Sequence, residues 1–570
     1  VTLGRPAAPQ GISFTSTTDR SRSTLSDHAS FSSHRPWTLT ALSVALLFGA
    51  SLFGCDSDFK GSALENLPPN TALSVRDESL VDNLADDNRL LSTLRLSWSG
   101  DDPDGFVIGF DVRVFPATSS PDSEDLWVFT TRNDSLLLLP LPSGESIADV
   151  VVEVRAVDNE GAKDPTPARS VFPIQNSPPT IRFSQFELPP DTTFPVVSFA
   201  YVPDDPDGIQ NLQSVGVSLN DSTSFVEIPP EFDFVTLVGD QNQVATADEV
   251  DARLFLGRGV EATSLVVPGM RLDADNTFYI RTTDQADTTS TIERFTWRVK
   301  RNASDILYVN DYRLSTNQDV KNYHLDILAQ FLPPGMPVDT WDISEPFTTG
   351  SSGTVPRSSA LPPVAEPMLR LTLSLYRFIY WVSTSTTGNV GTDNMPFVAP
   401  AMAEFFGNGG KMLVHSPVNV PTVDTDFTDN AAVLLLPLSE PLVLPDSVRR
   451  LELASGAPVT PTATGTSLGL PALESSRFFI NLRPYRSTGA NIESLYTGAF
   501  RFRSASGGSG DWTDPNTVAS ISADRRIALM ALPLVNDLNS TENFTAPGDT
   551  DPAGLLVVHA LLRALEFPSR

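Results

Sequence analysis

Cysteine occurs once in 570 residues, at Cys55, so no disulfide can form within the chain. Histidine is almost as scarce, and His28, His34, His324, His415 and His559 are too dispersed to suggest a zinc cluster. Lysine stands only at Lys60, Lys163, Lys300, Lys321 and Lys411, and 39 basic residues face 69 acidic ones, a formal net charge of -30. Phosphate binding needs a basic face and none is visible, so no nucleic-acid partner is expected. A phosphate-cradling glycine loop is also missing, because Gly407-Asn408-Gly409-Gly410 leads into a strand pattern rather than a helix. Beyond Cys55 no run is long and apolar enough to span a bilayer.

What is present begins with Trp37 to Cys55, which carries no charge as far as Gly54 and ends in Leu52-Phe53-Gly54-Cys55. This stretch resembles a bacterial lipoprotein signal. The resemblance implies cleavage before Cys55, lipid on its thiol and amine, and an exported protein held to a membrane of the cell envelope by lipid. Several acyl chains exceed the two signals that stable anchoring requires. An uncleaved N-terminal anchor is the alternative reading. Residues 1–36 are rich in Ser and Thr, and the first methionine is Met270; they read as a disordered or mis-annotated extension ahead of a signal at 37–54. A polar tether follows over 55–66. The excess of acid fits a halophilic source, where salt near 1 M screens charge over about 3 Å; an ordinary acidic envelope protein is the alternative.

Residues 67–175 read as all-β. Leu94 to Trp98, Gly109 to Phe115, Leu126 to Phe129 and Val150 to Val157 are short runs separated by turn residues, several alternating apolar with polar. About seven such segments in roughly 100 residues indicate a β-sandwich, with Trp98 as a core plug. The turn Asp101-Asp102-Pro103-Asp104-Gly105 into a Gly-Phe strand resembles fibronectin type III and related Ig-like modules. Residues 176–300 repeat the pattern. Asn66-Leu67-Pro68-Pro69 returns as Asn176-Ser177-Pro178-Pro179, Asp101 to Gly105 as Asp204 to Gly208, and Val154 to Asp158 as Ile280 to Asp284. The unequal offsets of 110, 103 and 126 residues make this a tandem module with loop insertions. The Pro-Pro pairs mark stiff joints.

From 301 to 570 the pattern becomes α/β with a mainly parallel sheet. Asp305 to Asp311, Val338 to Ile343, Arg377 to Val382, Lys411 to His415 and Arg526 to Leu532 read as strands. Asp319 to Phe331, Pro396 to Phe406 and Ala553 to Leu565 read as helices, and 417–515 as an irregular insertion. The layout, with Phe405-Phe406-Gly407-Asn408-Gly409-Gly410 leading into Lys411 to Val414, is similar to the class I glutamine amidotransferase-like superfamily. That family's cysteine would fall at His415-Ser416-Pro417, where this chain has none, so amidotransfer is excluded.

The remaining candidates are few. Asp311, His415, Ser416 and His559 could build a hydrolase site at the carboxyl ends of the strands, where open α/β sheets bind ligands. Ser416 lacks the flanking glycines of a nucleophile elbow, since Val414 and Val418 stand there. Asp101, Asp102, Asp104 and Asp158, and likewise Asp204, Asp205, Asp207 and Asp284, read either as plain turn residues or as calcium ligands; no other cofactor is implied. The preferred reading is a non-catalytic, lipid-anchored envelope protein, two sandwiches spacing an α/β domain that binds an envelope protein or glycan. The alternative is a hydrolase on carbohydrate or peptide. A purely mechanical role would draw on apolar stretches such as Val433 to Leu436.

Overall fold

The structure, a computed structural model, describes residues 65–76, 90, 93–119, 126–139, 141, 145–314, 316–344, 358–383, 394–416, 435–437, 440–441, 444–480, 482–487, 491–536, 539 and 541–570. The signal at 37–54, Cys55 with its tether as far as residue 64, and Val433 and Leu434 lie outside these residues.

Among the described residues the first module has the strands β1 (Asn70–Val75), β2 (Thr93–Asp101), β3 (Val107–Pro116), β4 (Val128–Thr130), β5 (Asp134–Leu138), β6 (Ile147–Asp158) and β7 (Ala168–Gln175). They form two sheets, β1-β2-β5 and β4-β3-β6-β7, all pairings antiparallel. Between the sheets lie Leu94, Leu96, Trp98, Phe110, Val152 and Phe172. Trp98 is buried edge-on to Phe110, and its indole N–H donates to Arg132 O at 2.8 Å, which satisfies the one polar atom it brings inside. Strand β6 is buried on both faces for a local reason. Asp111 is bound by Arg155 and Lys163, Glu153 by Arg113, and the Trp127 ring lies 4.2 Å from both the Arg113 and the Arg155 guanidinium. This ladder covers what would otherwise be the wet side of the sheet.

The second module is larger, with β8 (Thr180–Phe183), β9 (Thr192–Thr193), β10 (Val196–Asp204), β11 (Leu212–Leu219), β12 (Val226–Ile228), β13 (Phe234–Gly239), β14 (Glu249–Leu256), β15 (Ala262–Arg271), β16 (Ala274–Asp284) and β17 (Glu293–Val299). Its sheets run β15-β14-β13-β10-β8 and β12-β11-β16-β17-β9. Phe199 and Phe278 stack at 4.1 Å in the core, with Trp297 edge-on to Phe199.

After Arg301 come β18 (Ile306–Asp311), α1 (Asn317–Phe331), β19 (Asp339–Asp342), α2 (Met368–Leu373), β20 (Phe378–Ser383), α3 (Met402–Gly407) and β21 (Lys411–His415). The region 417–515 contributes β22 (Glu440–Pro441), β23 (Val448–Leu453), β24 (Pro458–Pro461), β25 (Leu473–Ser475), β26 (Phe479–Ile480), β27 (Tyr485–Arg486), β28 (Ile492–Gly498), β29 (Phe500–Ser504) and β30 (Ser509–Trp512). Then follow β31 (Thr517–Ser522), β32 (Ile527–Met530), β33 (Phe544–Thr545) and α4 (Ala553–Ala564). The sheet order is β19-β18-β20-β21-β32-β31-β28-β24-β25-β33, with β22 and β27 attached at β31.

Two expectations are corrected here. The sheet is mixed, not mainly parallel: β19 to β32 are parallel neighbours, and every pairing from β32 outward is antiparallel. The insertion is not irregular either. Its strands extend the main sheet and add a four-stranded sheet, β26-β23-β29-β30, burying Leu451, Leu453, Val459, Phe479 and Phe500 in the core that holds α1 and α4. A parallel sheet needs both faces covered by helices. The extension escapes that requirement by turning antiparallel where the helices end.

The second module meets this domain through an aromatic peg. Phe194, between β9 and β10, is buried against Trp341 at 6.1 Å and Tyr376 at 5.5 Å, both edge-on. Beside it Val196 and Phe255 pack on Met368 and Leu371 of α2. The connecting chain is pinned as well. Arg301 reaches Ala247 O, Asp248 and Asp273, while Ala303 N and Ser304 N donate to Asp339 Oδ2 at 2.8 and 3.1 Å. Phe194→Ala is expected to cost about 3–5 kcal/mol, the usual range for deleting a buried ring, and to open the chain near Arg301 to protease. Urea unfolding with limited proteolysis checks this; a loss under about 1 kcal/mol with no new cleavage would show that the peg does not hold the joint.

Candidate functional site

The strand registers decide which candidate residues can meet. Asn310 lies beside Val382, Val382 beside His415, and His415 beside Met530. Asp311 lies beside Ser383, and Ser416 continues that second row. Successive side chains of a strand point to opposite faces. The row containing His415 therefore faces α1 and α4, with Tyr308, Tyr380 and Leu413. The Asp311 row faces the other layer, with Trp381, Val414 and the helical segments from Met395 to Phe405. Asp311 and His415 thus lie on opposite faces of the sheet, which corrects the expectation that they share one crevice. His559 stays on α4, half-buried, its Nε2 donating to Ile327 O at 3.0 Å beside the Phe331 ring.

Asp311 sits where strand order reverses, β18 leading to β19 on one side and β20 on the other, the usual ligand crevice of an open sheet. Here the position is filled. Asp311 is 1 % exposed, and its carboxylate accepts from Asn394 Nδ2 at 2.8 Å, Ser383 Oγ at 3.1 Å and Arg313 Nε at 3.3 Å. Burial raises its pKa to about 6 against the opposing pull of Arg313. Ser416 is also 1 % exposed, with its N–H given to Met530 O. Neither group is presented to a substrate.

On the opposite face a chain of rings runs through the core. Tyr380 Oη lies 2.7 Å from His324 Nδ1, His324 Nε2 lies 3.2 Å from His415 Nδ1, and His415 Nε2 lies 2.7 Å from Leu532 O. The carbonyl can only accept, so His415 carries its proton on Nε2. Its Nδ1 then accepts from His324 Nε2, whose Nδ1 accepts from the Tyr380 hydroxyl. The Leu534 N–H at 3.5 Å from His415 Nε2 would favour the reverse order, but the shorter carbonyl contact outweighs it. Both imidazoles are neutral. Burial holds His415 down at about 4 and His324 well below its ordinary value.

The aspartate loops are alike in the two modules. Asp158 Oδ1 accepts from Glu160 N and Ala162 N, and Asp284 Oδ1 from Ala286 N and Thr288 N. Asp104 accepts the Leu67 N–H at 3.1 Å, while Asp207 accepts the Ser177 N–H at 2.6 Å and its hydroxyl at 3.1 Å. Asp102 and Asp205 take the N–H two residues on. Asp101 and Asp204 end β2 and β10, opposite Asn70 and Thr180. These oxygens fold the loop and hold the incoming linker. Among the described residues no group of three or more His, Cys, Asp or Glu is arranged to hold a metal.

The sequence reading missed His324, Tyr380, Ser383 and Asn394. His324 had a signal, since Val320, His324, Ile327, Leu328 and Phe331 are the buried residues of α1 and fall at helical spacing. Asn394 had none, because its role depends on contact with a strand 83 residues earlier.

No family model matches the chain, and no curated protein matches it. Among solved structures it is similar to fibronectin(III)-like modules of CbhA from Clostridium thermocellum, at 11% identity over 40% of this chain and 94% of that one, TM-score 0.14. It is also similar to the FN1-FN3 domains of chicken CNTN1, at 10% identity over 42% and 70%, TM-score 0.14. A third is the central fibronectin-III array of RIM-binding protein, at 13% over 42% and 71%, TM-score 0.12. At such scores the sandwich assignment rests on the strand pairings themselves.

Two outcomes follow from this geometry. Adding calcium or a chelator is expected to leave the melting temperature unchanged if the loops are plain turns; a calcium-dependent rise of several degrees would decide for the calcium reading. The second concerns acid. His415 is neutral when folded down to about pH 4 but protonates near 6.5 when unfolded, so its contribution is complete above pH 6.5 and lost as pH falls towards 4. Asp311, raised to about 6, works in the opposite sense between pH 6 and 3.8. In urea titrations at stepped pH, His415→Gln is expected to reduce the proton uptake on unfolding by about one, worth about 3 kcal/mol across that window; an unchanged slope would mean that His415 is not buried neutral.

Proposed function

We propose that this is a non-catalytic, lipid-anchored protein of the cell envelope whose two sandwiches act as spacers and whose α/β domain binds an envelope protein or a glycan. The observation that carries the spacer reading is the joint at Ser177. Its amide and hydroxyl are both given to the buried Asp207 carboxylate, and Asn176 donates to Asp284 at 2.6 Å and Thr288 at 3.0 Å. A linker held by four hydrogen bonds from three of its groups transmits orientation, whereas a flexible tether does not. The absence of catalysis is supported by the burial of Asp311 and Ser416 and by the placing of His415 on the other face of the sheet. The parallel half, β19 to β32 with helices on both faces, fits a silent relative of the amidotransferase-like fold. The membrane and envelope part rests on the sequence alone, through Cys55.

Full-length chain expressed in a bacterial host with a labelled fatty acid tests the anchor. Label and membrane fractionation are expected for the natural sequence and both are lost in Cys55→Ala. Retention of the Cys55→Ala chain in the membrane would replace the lipid by an uncleaved N-terminal helix.

A further inference from the structure

Where the second module meets the α/β domain there is a cavity of about 210 Å³, walled by Pro190, Phe194, Trp341 and Met368, with Lys300 and Asp342 as its charged lining residues. Its walls are mostly apolar, the Phe194 and Trp341 rings standing edge-to-face. Domain junctions are where concave, largely apolar ligand sites with a few polar groups tend to form.

Lys300 is the exceptional group. Its ammonium donates to Thr340 O at 2.8 Å, reaches Thr340 Oγ1 only at 3.5 Å, and lies 5.5 Å from the Phe194 ring centroid. Three N–H donors are available and one is well used. No carboxylate among the described residues pairs with it, although the chain carries thirty more acidic than basic residues. The two nearby carboxylates are engaged elsewhere. Asp339 holds Ala303 N and Ser304 N, and Asp342 holds Ser344, Asn310 and Lys321. A half-buried cation with spare donors thus faces an aromatic wall, with the Asp339 charge nearby but with no carboxylate among the described residues in direct contact.

We infer that this cavity binds a small organic acid, its carboxylate on Lys300 Nζ and its apolar body against Phe194, Trp341 and Met368. A phosphate would want more than one cation or a cluster of backbone amides, and a sugar would want polar partners along its ring edges. One ammonium above an apolar wall suits a carboxylate on a ring or short chain. Such a ligand would touch both the second module and the α/β domain, and so would stabilise their junction by mass action.

The test uses the full chain with 2-naphthoate as probe and 2-naphthamide as its neutral isostere, followed by equilibrium dialysis and thermal melting. Naphthoate is expected to bind saturably with Kd below about 1 mM, at least about tenfold tighter than the amide, and to raise the melting temperature. Lys300→Met is expected to abolish the difference between the two. If Lys300→Met does not fold, Ala360→Phe, which narrows the cavity and leaves the ammonium in place, is expected to weaken both. Equal affinity for acid and amide, binding that survives both substitutions, or no saturable binding overturns the inference.

Discussion

Ser177 can enter the second module only if its amide finds an acceptor, because the residue is buried and an unpaired buried N–H costs about 1–3 kcal/mol. The acceptor is Asp207, itself folded into place by Asp205, whose carboxylate takes the Asp207 amide. A charge-assisted bond from backbone to carboxylate is stronger than a neutral one. It fixes the direction of the linker at the point where the chain passes from one sandwich to the next. Asp104 does the same for Leu67 at the start of the first module, with more solvent around it. The Asp-Asp-Pro-Asp-Gly loop is therefore a joint device, used twice, and the paired prolines that follow keep the chain extended as it leaves.

Two faces of one sheet divide the third domain. Towards α1 and α4, Tyr380, His324 and His415 pass hydrogen bonds in one direction to a carbonyl, so neither ring needs a charge. Towards the other layer, Asp311 keeps a carboxylate in a dry site by collecting three donors from β20, the Asn394 segment and its own loop. Burying an ionised group is tolerated only when it is paired and hydrogen-bonded. Each arrangement consumes the chemistry it displays. A neutral imidazole bonded at both nitrogens is a poor base, and the Asp311 carboxylate spends three of its acceptor sites on donors inside the fold. The reversal of strand order that opens a crevice in other α/β sheets is here occupied by the protein's own side chains.

The repeat is legible in the sequence, because the two aspartate loops match letter by letter and Asn66 to Pro69 matches Asn176 to Pro179 except for Leu67 against Ser177. Trp98 was readable as a core residue by its strand neighbours. His324 stands on the buried stripe with Val320, Ile327 and Phe331, whereas Tyr323 and Leu325 pack only partly against the core. The pairing of Asp311 with His415 failed for a definite reason. Proximity along two strand ends says nothing about faces, and only the lateral register, Val382 beside His415 and Ser383 beside Asp311, shows that one residue of offset separates them across the sheet. The insertion was misread because its strands are two to seven residues long and separated by Pro, Ser and Thr, which looks irregular until pairing with β31 supplies the ladder.

The two joints are built from opposite materials, and this sets where the molecule can yield. Between the sandwiches the contacts are polar: Asn176, Ser177, Asp205, Asp207, Asn211 and Asp284 form a small hydrogen-bonded knot. Between the second sandwich and the α/β domain the contact is a buried aromatic peg with Val196, Phe255, Met368 and Leu371 beside it. Ser177, Asp205, Asp207 and Asp284 of the first joint are buried, but as it opens their hydrogen bonds can be replaced by bonds to water at modest net cost, whereas withdrawing Phe194 exposes a ring and leaves a hole. Small, polar interdomain contacts permit relative motion and apolar ones resist it. Any bending is therefore expected at Asn176 to Pro179 before it reaches Lys300 and Arg301. The second module then belongs mechanically with the α/β domain, and the first module is the part free to reorient against this pair.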